Sequence, residues 1–246
     1  MEAPVSHPRK ASLDLRHRLT DGLEGGVVAP AGLIAFGRGE AFDYLLGERT
    51  CFQAAEAERA AAALLLAAER PVLSVNGNVA AICPREAVEL ASATGSKLEV
   101  NLFYRSPGRE VKVRDALLAA GAKAVYGVGV KGKTIPGLES ERGRADEAIL
   151  EADVVLVMLE DGDRTEKLKG MGKKVIAVDL NPLSRTARKA DITIVDNVVR
   201  ALPNMIKDAK ELKKLGKEKL KAMVAAFDNE RNLREMEEII RSGFKP

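Results

Sequence analysis

The chain has 246 residues, 46% hydrophobic and 30% charged, enough for one large domain with a sizeable core and too apolar for disorder. Thirty-nine Lys and Arg against 36 Asp and Glu leave a net charge of +3, and aromatics are 4% with no Trp, so neither the charge nor the stacking platform of a nucleic-acid binder is present. The longest apolar run, residues 60–68, falls well short of the roughly 20 residues that a membrane span needs. No signal-type apolar segment opens the chain, and Cys51 and Cys83 stand apart in no metal-binding spacing. A cytoplasmic protein with reduced thiols is expected.

Helical patterns come first, at 12–23, 40–46 and 53–68. Strand-like runs follow at 71–75, 98–103, 124–128, 153–159, 174–179 and 192–195, separated by helical stretches at 85–94, 110–120, 141–151, 164–172 and 182–189. Most of the strand runs are continuously apolar, the pattern of strands buried on both faces. This rhythm predicts an α/β fold: a Rossmann-like parallel sheet with covering helices, plus N-terminal and C-terminal helical segments. From residue 198 the pattern is purely helical. Residues 207–221 hold seven Lys and three acids, with Leu212, Leu215 and Leu220 as a packing stripe, which reads as a solvated helix face. The expected organisation is residues 1–205 as the main domain, including the N-terminal helical segment, and 206–246 as a helical appendage.

Ligands of open α/β sheets bind beyond the carboxyl ends of the strands. After the first strand, Asn76-Gly77-Asn78 offers backbone that tolerates a tight turn, either to gather amides on an anion or simply to turn. After the run at 153–159 come Glu160, Asp161 and Asp163. Asp163 with Glu166 resembles a capping box, and the remaining crowding of acids favours a Mg²⁺ ion or an ammonium group. Asp179 ends the next strand, where an acid commonly holds ribose hydroxyls; Asn181 and Pro182 read as a helix start, and Arg185 is within reach of phosphate. Asp196-Asn197 follows the last strand. Arg38 sits between Gly37 and Gly39, apparently at a helix start, and Arg105 follows the second strand. His7 and His17 are the only histidines, and no P-loop, complete GxGxxG or Ser-His-Asp set is present.

The ordered motifs Ser6-His7-Pro8-Arg9, Gly37-Arg38-Gly39-Glu40-Ala41-Phe42-Asp43-Tyr44-Leu45, Ser74-Val75-Asn76-Gly77-Asn78 and Asn101-Leu102-Phe103-Tyr104-Arg105 resemble those of archaeal phosphopantothenate synthetases. So do Pro30 to Ala35, Ile135-Pro136-Gly137-Leu138-Glu139, Leu159 to Glu166, Asp179 to Arg185 and Ile194 to Arg200, so that the resemblance covers about residues 6–205. Phe36 and Met158 depart from the family pattern, which has His and Pro there.

The resemblance implies a homodimeric, AMP-producing ligase of coenzyme A synthesis that joins 4-phosphopantoate to β-alanine through an acyl-adenylate. It also implies ATP contacts at Arg16, Arg38, Asp179, Leu180, Asn181, Arg185, Thr186, Asn197 and Val198. Such chemistry needs cations where pyrophosphate charge develops rather than a strong base, which suits a site with many Arg and few His. Asp161 and Asp163 are the candidates for Mg²⁺ or for the amine, Arg38 for transition-state charge, and Arg105 with Asn76 and Asn78 for the acidic substrate. A ligase for another hydroxy acid and a nucleotide-sensing module are the alternatives.

Overall fold

Five short aliphatic runs build one parallel sheet: β1 (Pro71–Val75), β2 (Lys97–Val100), β3 (Val154–Met158), β4 (Lys174–Val178) and β5 (Ile192–Ile194). In this computed structural model, which describes residues 6–7, 9–130, 133–138 and 143–243, the strand order is β2-β1-β3-β4-β5. That is the doubly wound order of flavodoxin-type sheets, and its switch point lies between β1 and β3. The helices are α1 (Lys10–Glu24), α2 (Pro30–Leu45), α3 (Phe52–Ala67), α4 (Gly77–Ile82), α5 (Pro84–Thr94) and α6 (Pro107–Ala119). They continue with α7 (Glu147–Glu151), α8 (Gly162–Gly170), α9 (Arg185–Lys189), α10 (Val198–Leu212), α11 (Lys217–Ala226) and α12 (Asn229–Ser242).

The period of two along each strand divides the core into two layers. Leu73, Val75, Leu156, Met158, Ile176 and Val178 face one way, toward Ala57, Ala61 and Leu65 of α3, Leu90 of α5 and Leu202 and Met205 of α10. Val72, Val155, Val157, Val175 and Ala177 face the other way, toward Ile149 of α7, Leu168 of α8 and Ile135. The alanines at 54, 57 and 60–63 of α3 are all buried, and their small side chains let α3 approach α10 and α11 closely.

Two expectations need correction. The run at 124–128 is not a strand; Tyr126 makes one parallel bridge to Glu99, and Gly127 and Gly129, with φ of +87° and +68°, then turn the chain away. The second helix begins at Pro30 rather than Glu40, because the glycines at 37 and 39 obscure a helix that is apolar over much of its surface. Part of the helix expected at 141–151 lies outside the described residues; within the described part the α-helix is α7, which starts only at Glu147. The boundary expected at 205/206 falls inside α10, and α11 and α12 pack back on α3. Met236 of α12 joins Leu46, Cys51, Leu180 and Val195 in a small cluster below the β4 and β5 ends. Among the described residues, no helix is long and apolar enough to cross a membrane.

Gly77 opens α4 where the chain passes against α1's exit loop. A Cβ there would lie 2.3 Å from the Val27 carbonyl oxygen, a backbone atom that cannot swing aside. Gly77→Ala is therefore expected to lower unfolding stability by about 1–3 kcal/mol, measured by urea denaturation. An unchanged midpoint would show that the α1–α4 contact yields freely.

Candidate functional site

The carboxyl edge of the sheet carries a line of polar groups, and α2 lies along its β4–β5 end. Asp179 closes β4. Its carboxylate accepts the Asn181 amide at 2.9 Å and the Ser184 hydroxyl. Burial pushes its pKa above the ordinary aspartate value, opposed by the Ser184 and Asn181 hydrogen bonds and by the nearby charge of Arg38. Arg38 is exposed and makes no hydrogen bond or ion pair with the described residues. At Gly39 α2 comes within van der Waals range of Leu180, a Cβ there falling 3.6 Å from the Leu180 side chain, which forms the buried floor of this end.

Arg38 is thus mid-helix and not at a helix start, contrary to expectation. Its value to the site is position: α2 is anchored from its next turn. Asp43, 4% exposed, accepts from Asn197 Nδ2 at 2.9 Å and from both terminal nitrogens of Arg200. Arg200 also donates to Asp196 through Nε at 2.9 Å, and Asp196 accepts the Asn197 amide at 2.7 Å and the Thr50 hydroxyl at 2.6 Å. One arginine thereby ties α2 to the β5–α10 turn. Asn197 caps α10, its Oδ1 accepting from the Val199 amide at 3.3 Å, and Val198 is buried as the first helical residue. Arg16 of α1 braces α2 from the other side by a two-pronged bond to Glu40, with Nε and Nη2 each 3.0 Å from a carboxylate oxygen.

The acidic loop is organised differently from its sequence reading. Asp161, not Asp163, caps α8, accepting the Arg164 amide through Oδ1 at 2.9 Å. Asp163 sits in the first turn of α8 and pairs with Arg185 at 2.8 Å, which also reaches Glu166 at 3.1 Å. Gly162 permits this, since a Cβ there would meet the Arg185 Cβ at 2.4 Å. The helix after β4 is capped by Ser184, whose Oγ accepts the Ala187 amide at 2.9 Å, while Asn181 instead makes an Asx turn to the Leu183 amide at 2.9 Å. Asn181-Pro182 is therefore not the helix start. Buried Thr186 donates to the Glu160 carbonyl at 2.9 Å, stitching the β3 and β4 ends together.

At the switch point, Leu159 adopts φ of +52°, a left-handed conformation costly for a branched residue, and this turns Glu160 across the end of β1. Glu160 accepts from Asn101 Nδ2 at the end of β2. Burial pushes its pKa up to about 7, opposed by the Arg164 guanidinium and reinforced by Asp161. Asn76 caps α4 through Oδ1 at 3.1 Å from the Val79 amide and donates to the Met158 carbonyl at 2.7 Å, so it bridges β1 to β3 instead of gathering amides on an anion. Asn78 donates to the Gly32 carbonyl at 2.9 Å. Arg105, its side chain 1% exposed, is held by Glu110 at 2.9 Å and the Gly127 carbonyl at 3.2 Å. It props the edge beside β2, three strands from β4 and so about 14 Å away by strand spacing.

The structure brings together Arg38, Asp179, Leu180, Asn181, Asn197 and Val198 at the β4–β5 end, with Arg185 and Thr186 beside them on α9. It does not bring Asn78 or Arg105 to that group. Asp43, Arg200 and Glu58 escaped the sequence reading as site residues; only the i, i+4 spacing of Asp196 and Arg200 at a helix start hinted at their pairing. Among the described residues, no three His, Cys, Asp or Glu side chains gather to hold a metal by themselves.

Comparison with known proteins bears on this edge. The family model for phosphopantothenate/pantothenate synthetase matches residues 53–243. A protein of Thermococcus kodakarensis named 4-phosphopantoate–β-alanine ligase is 56% identical over 232 residues, covering 94% of this chain and 88% of its own. Proteins of the same name from Thermococcus onnurineus and Methanosarcina mazei are 53% and 51% identical, covering 96% and 95% of this chain and 91% and 92% of their own.

Proposed function

The chain belongs to the phosphopantothenate/pantothenate synthetase family, and from that premise we propose that it is the ligase that condenses (R)-4-phosphopantoate with β-alanine in coenzyme A synthesis. ATP is the co-substrate. The phosphopantoate carboxylate attacks the α-phosphorus, a carbon-bound oxygen gains the adenylyl group, and the bond to pyrophosphate breaks. The β-alanine amine then attacks the acyl carbon, loses a proton, and displaces AMP to leave 4′-phosphopantothenate.

The observation that carries this reading is the Arg38 guanidinium, unpaired among the described residues and held by α2 beside the buried Asp179 carboxylate. The carboxylate is already a nucleophile, so the first step needs no strong base. It needs fixed positive charge on the phosphates, which Arg38 supplies and Arg185 and Arg16 augment from the rim. Asp179 retains acceptor capacity for a ribose hydroxyl, with Leu180 as floor and Asn181, Thr186, Asn197 and the Val198 amide completing the nucleotide cradle. Asn76, Asn101 and Glu160 line the switch point for phosphopantoate and β-alanine. Mg²⁺ suits this edge, because a hard cation that arrives on phosphates takes only one or two carboxylates, and Asp161 uses one oxygen in its cap. Asp163 is the second candidate, and it would have to share Arg185. Bound there, the ion would neutralise phosphate charge.

Residues 1–205 carry the chemistry in this reading and 206–246 support it, in a cytoplasmic homodimer. The outer face of α2 supports the dimer: Ile34 is 75% and Leu45 46% exposed three turns apart, and Phe52, which opens α3, is 72% exposed. Product analysis tests the activity. AMP should form only when ATP, phosphopantoate and β-alanine are all present, and AMP formed with another hydroxy acid instead would redirect the assignment. Asp179→Ala should raise the ATP requirement at least about tenfold in a folded protein, the loss of one buried charge-assisted contact. Unchanged ATP affinity would remove the cradle.

A further inference from the structure

Behind the β5–α10 turn stands a carboxyl group that the proposed chemistry does not use. Glu58 of α3 is 1% exposed. Its Oε2 accepts from Asn204 Nδ2 at 3.0 Å, whereas Oε1 has no donor among the described residues. Asp196, another carboxyl, stands next to it: Asn204 Nδ2 also reaches the Thr50 hydroxyl at 3.4 Å, that hydroxyl donates to Asp196 at 2.6 Å, and the closeness of Asp196 helps to raise the Glu58 pKa. Two carboxylates in contact cannot both be ionised in a buried place. Asp196 accepts from Arg200, the Thr50 hydroxyl and the Asn197 amide, whereas Glu58 accepts only from Asn204, so a proton between the two belongs on Glu58.

We propose that Glu58 is a positioning residue of the nucleotide site: its neutral carboxyl donates to Asp196 and so fixes the turn that presents Asn197 and the first amide of α10. This rests on the reading of Asn197 and α10 as part of the cradle. Asp196 has a limited set of oxygens, and each partner orients it. The Asn197 amide fixes that residue's backbone, while Asn197 Nδ2 is drawn to Asp43. If Glu58 ionised, two anions would abut behind this turn, and relief would come from moving Asp196 away and releasing Asn197.

The charges facing Glu58 all favour its neutral form. Burial pushes its pKa up to about 9, helped by Asp196 and, further along α10, by Asp208. Arg59, its neighbour on α3, is turned away to Asp208 and Glu211. Arg200 engages Asp196 and Asp43 rather than Glu58, and Glu235 of α12 is occupied by Gln53. No cation pairs with Glu58 among the described residues.

The test is the ATP dependence of AMP formation, with KM and kcat followed from pH 6.5 to 9.5, for the full chain and for Glu58→Gln, Glu58→Ala and Asn197→Ala. The wild type should hold a constant KM for ATP near neutrality and lose affinity about fivefold or more as pH passes about 9, with kcat changing less. Glu58→Gln is neutral at every pH and still donates to Asp196. It should match the wild-type KM within about twofold at pH 7 and show no alkaline rise. Glu58→Ala should raise KM about tenfold at all pH values. An alkaline rise in Glu58→Gln equal to the wild type overturns the proposal, and this comparison stands even where Glu58→Ala fails to fold. Asn197→Ala separates the two claims. A raised KM there with unaffected Glu58 variants defeats the positioning role alone, and an unaffected KM there defeats the nucleotide placement on which it depends.

Discussion

Replacing Arg38 by Ala is expected to slow ATP–pyrophosphate exchange with phosphopantoate by roughly 30- to 1,000-fold, about 2–4 kcal/mol of transition-state stabilisation. The side chain is exposed and engages no carboxylate among the described residues, so its removal breaks nothing that holds the fold. Thermal unfolding should therefore stay where it is. What disappears is a fixed cation beside Asp179, at the point where negative charge grows as the α–β phosphate bond breaks. The effect should be larger on the rate than on ATP affinity, because the charge to be stabilised is greatest in the transition state. Arg38→Lys should recover only part of the loss: an ammonium keeps the charge but cannot grip two oxygens of one phosphate from the exposed face of a helix. Near-wild-type exchange in Arg38→Ala would remove this residue from the chemistry and, with it, the reason for placing the phosphates under α2.

The parallel sheet was legible because strands buried on both faces are written as unbroken aliphatic runs, and four of the five begin and end within about one residue of their runs. The helix α2 was not. Gly37 and Gly39 each weaken a helix by about 1 kcal/mol, and a reading by propensity ends the pattern there. The fold overrides it, because Arg200 on Asp43 and Arg16 on Glu40 hold α2 from both sides of the glycines. Caps slipped for another reason: Asp161 and Asp163, or Asn181 and Ser184, are all competent, and only the chain path selects among them. Within the site, Asp179 and Asn197 announced themselves as polar residues at strand ends. Asp43 and Glu58 carried no such mark, because the meaning of each depends on a partner about 140 or more positions away, as with the 154 between Asp43 and Asn197.

Arg200→Ala is expected to cost about 3–5 kcal/mol of unfolding free energy, more than any other single replacement considered for this site. The pair it serves is deeply buried: the side chains of Asp43 and Asp196 are 6% and 0% exposed. Burial opposes the charge on Arg200 as well, yet the two carboxylates raise its pKa and so hold the guanidinium charged. Truncation leaves two buried carboxylates with the Thr50 hydroxyl and the Asn197 amides as their remaining hydrogen-bond donors among the described residues. Because the two carboxylates are buried, added salt should hide little of the loss, in contrast to surface pairs such as Lys221 with Glu218. A second replacement distinguishes charge from packing. If stranded charge is the cause, Asp43→Asn in the Arg200→Ala background should restore a substantial part of the stability, whereas lost packing would leave the double variant no better than the single one. Urea denaturation at neutral pH measures both. A loss below about 1 kcal/mol in Arg200→Ala would mean that water reaches the β5–α10 turn, and α2 would then need some other anchor to keep Arg38 over Asp179.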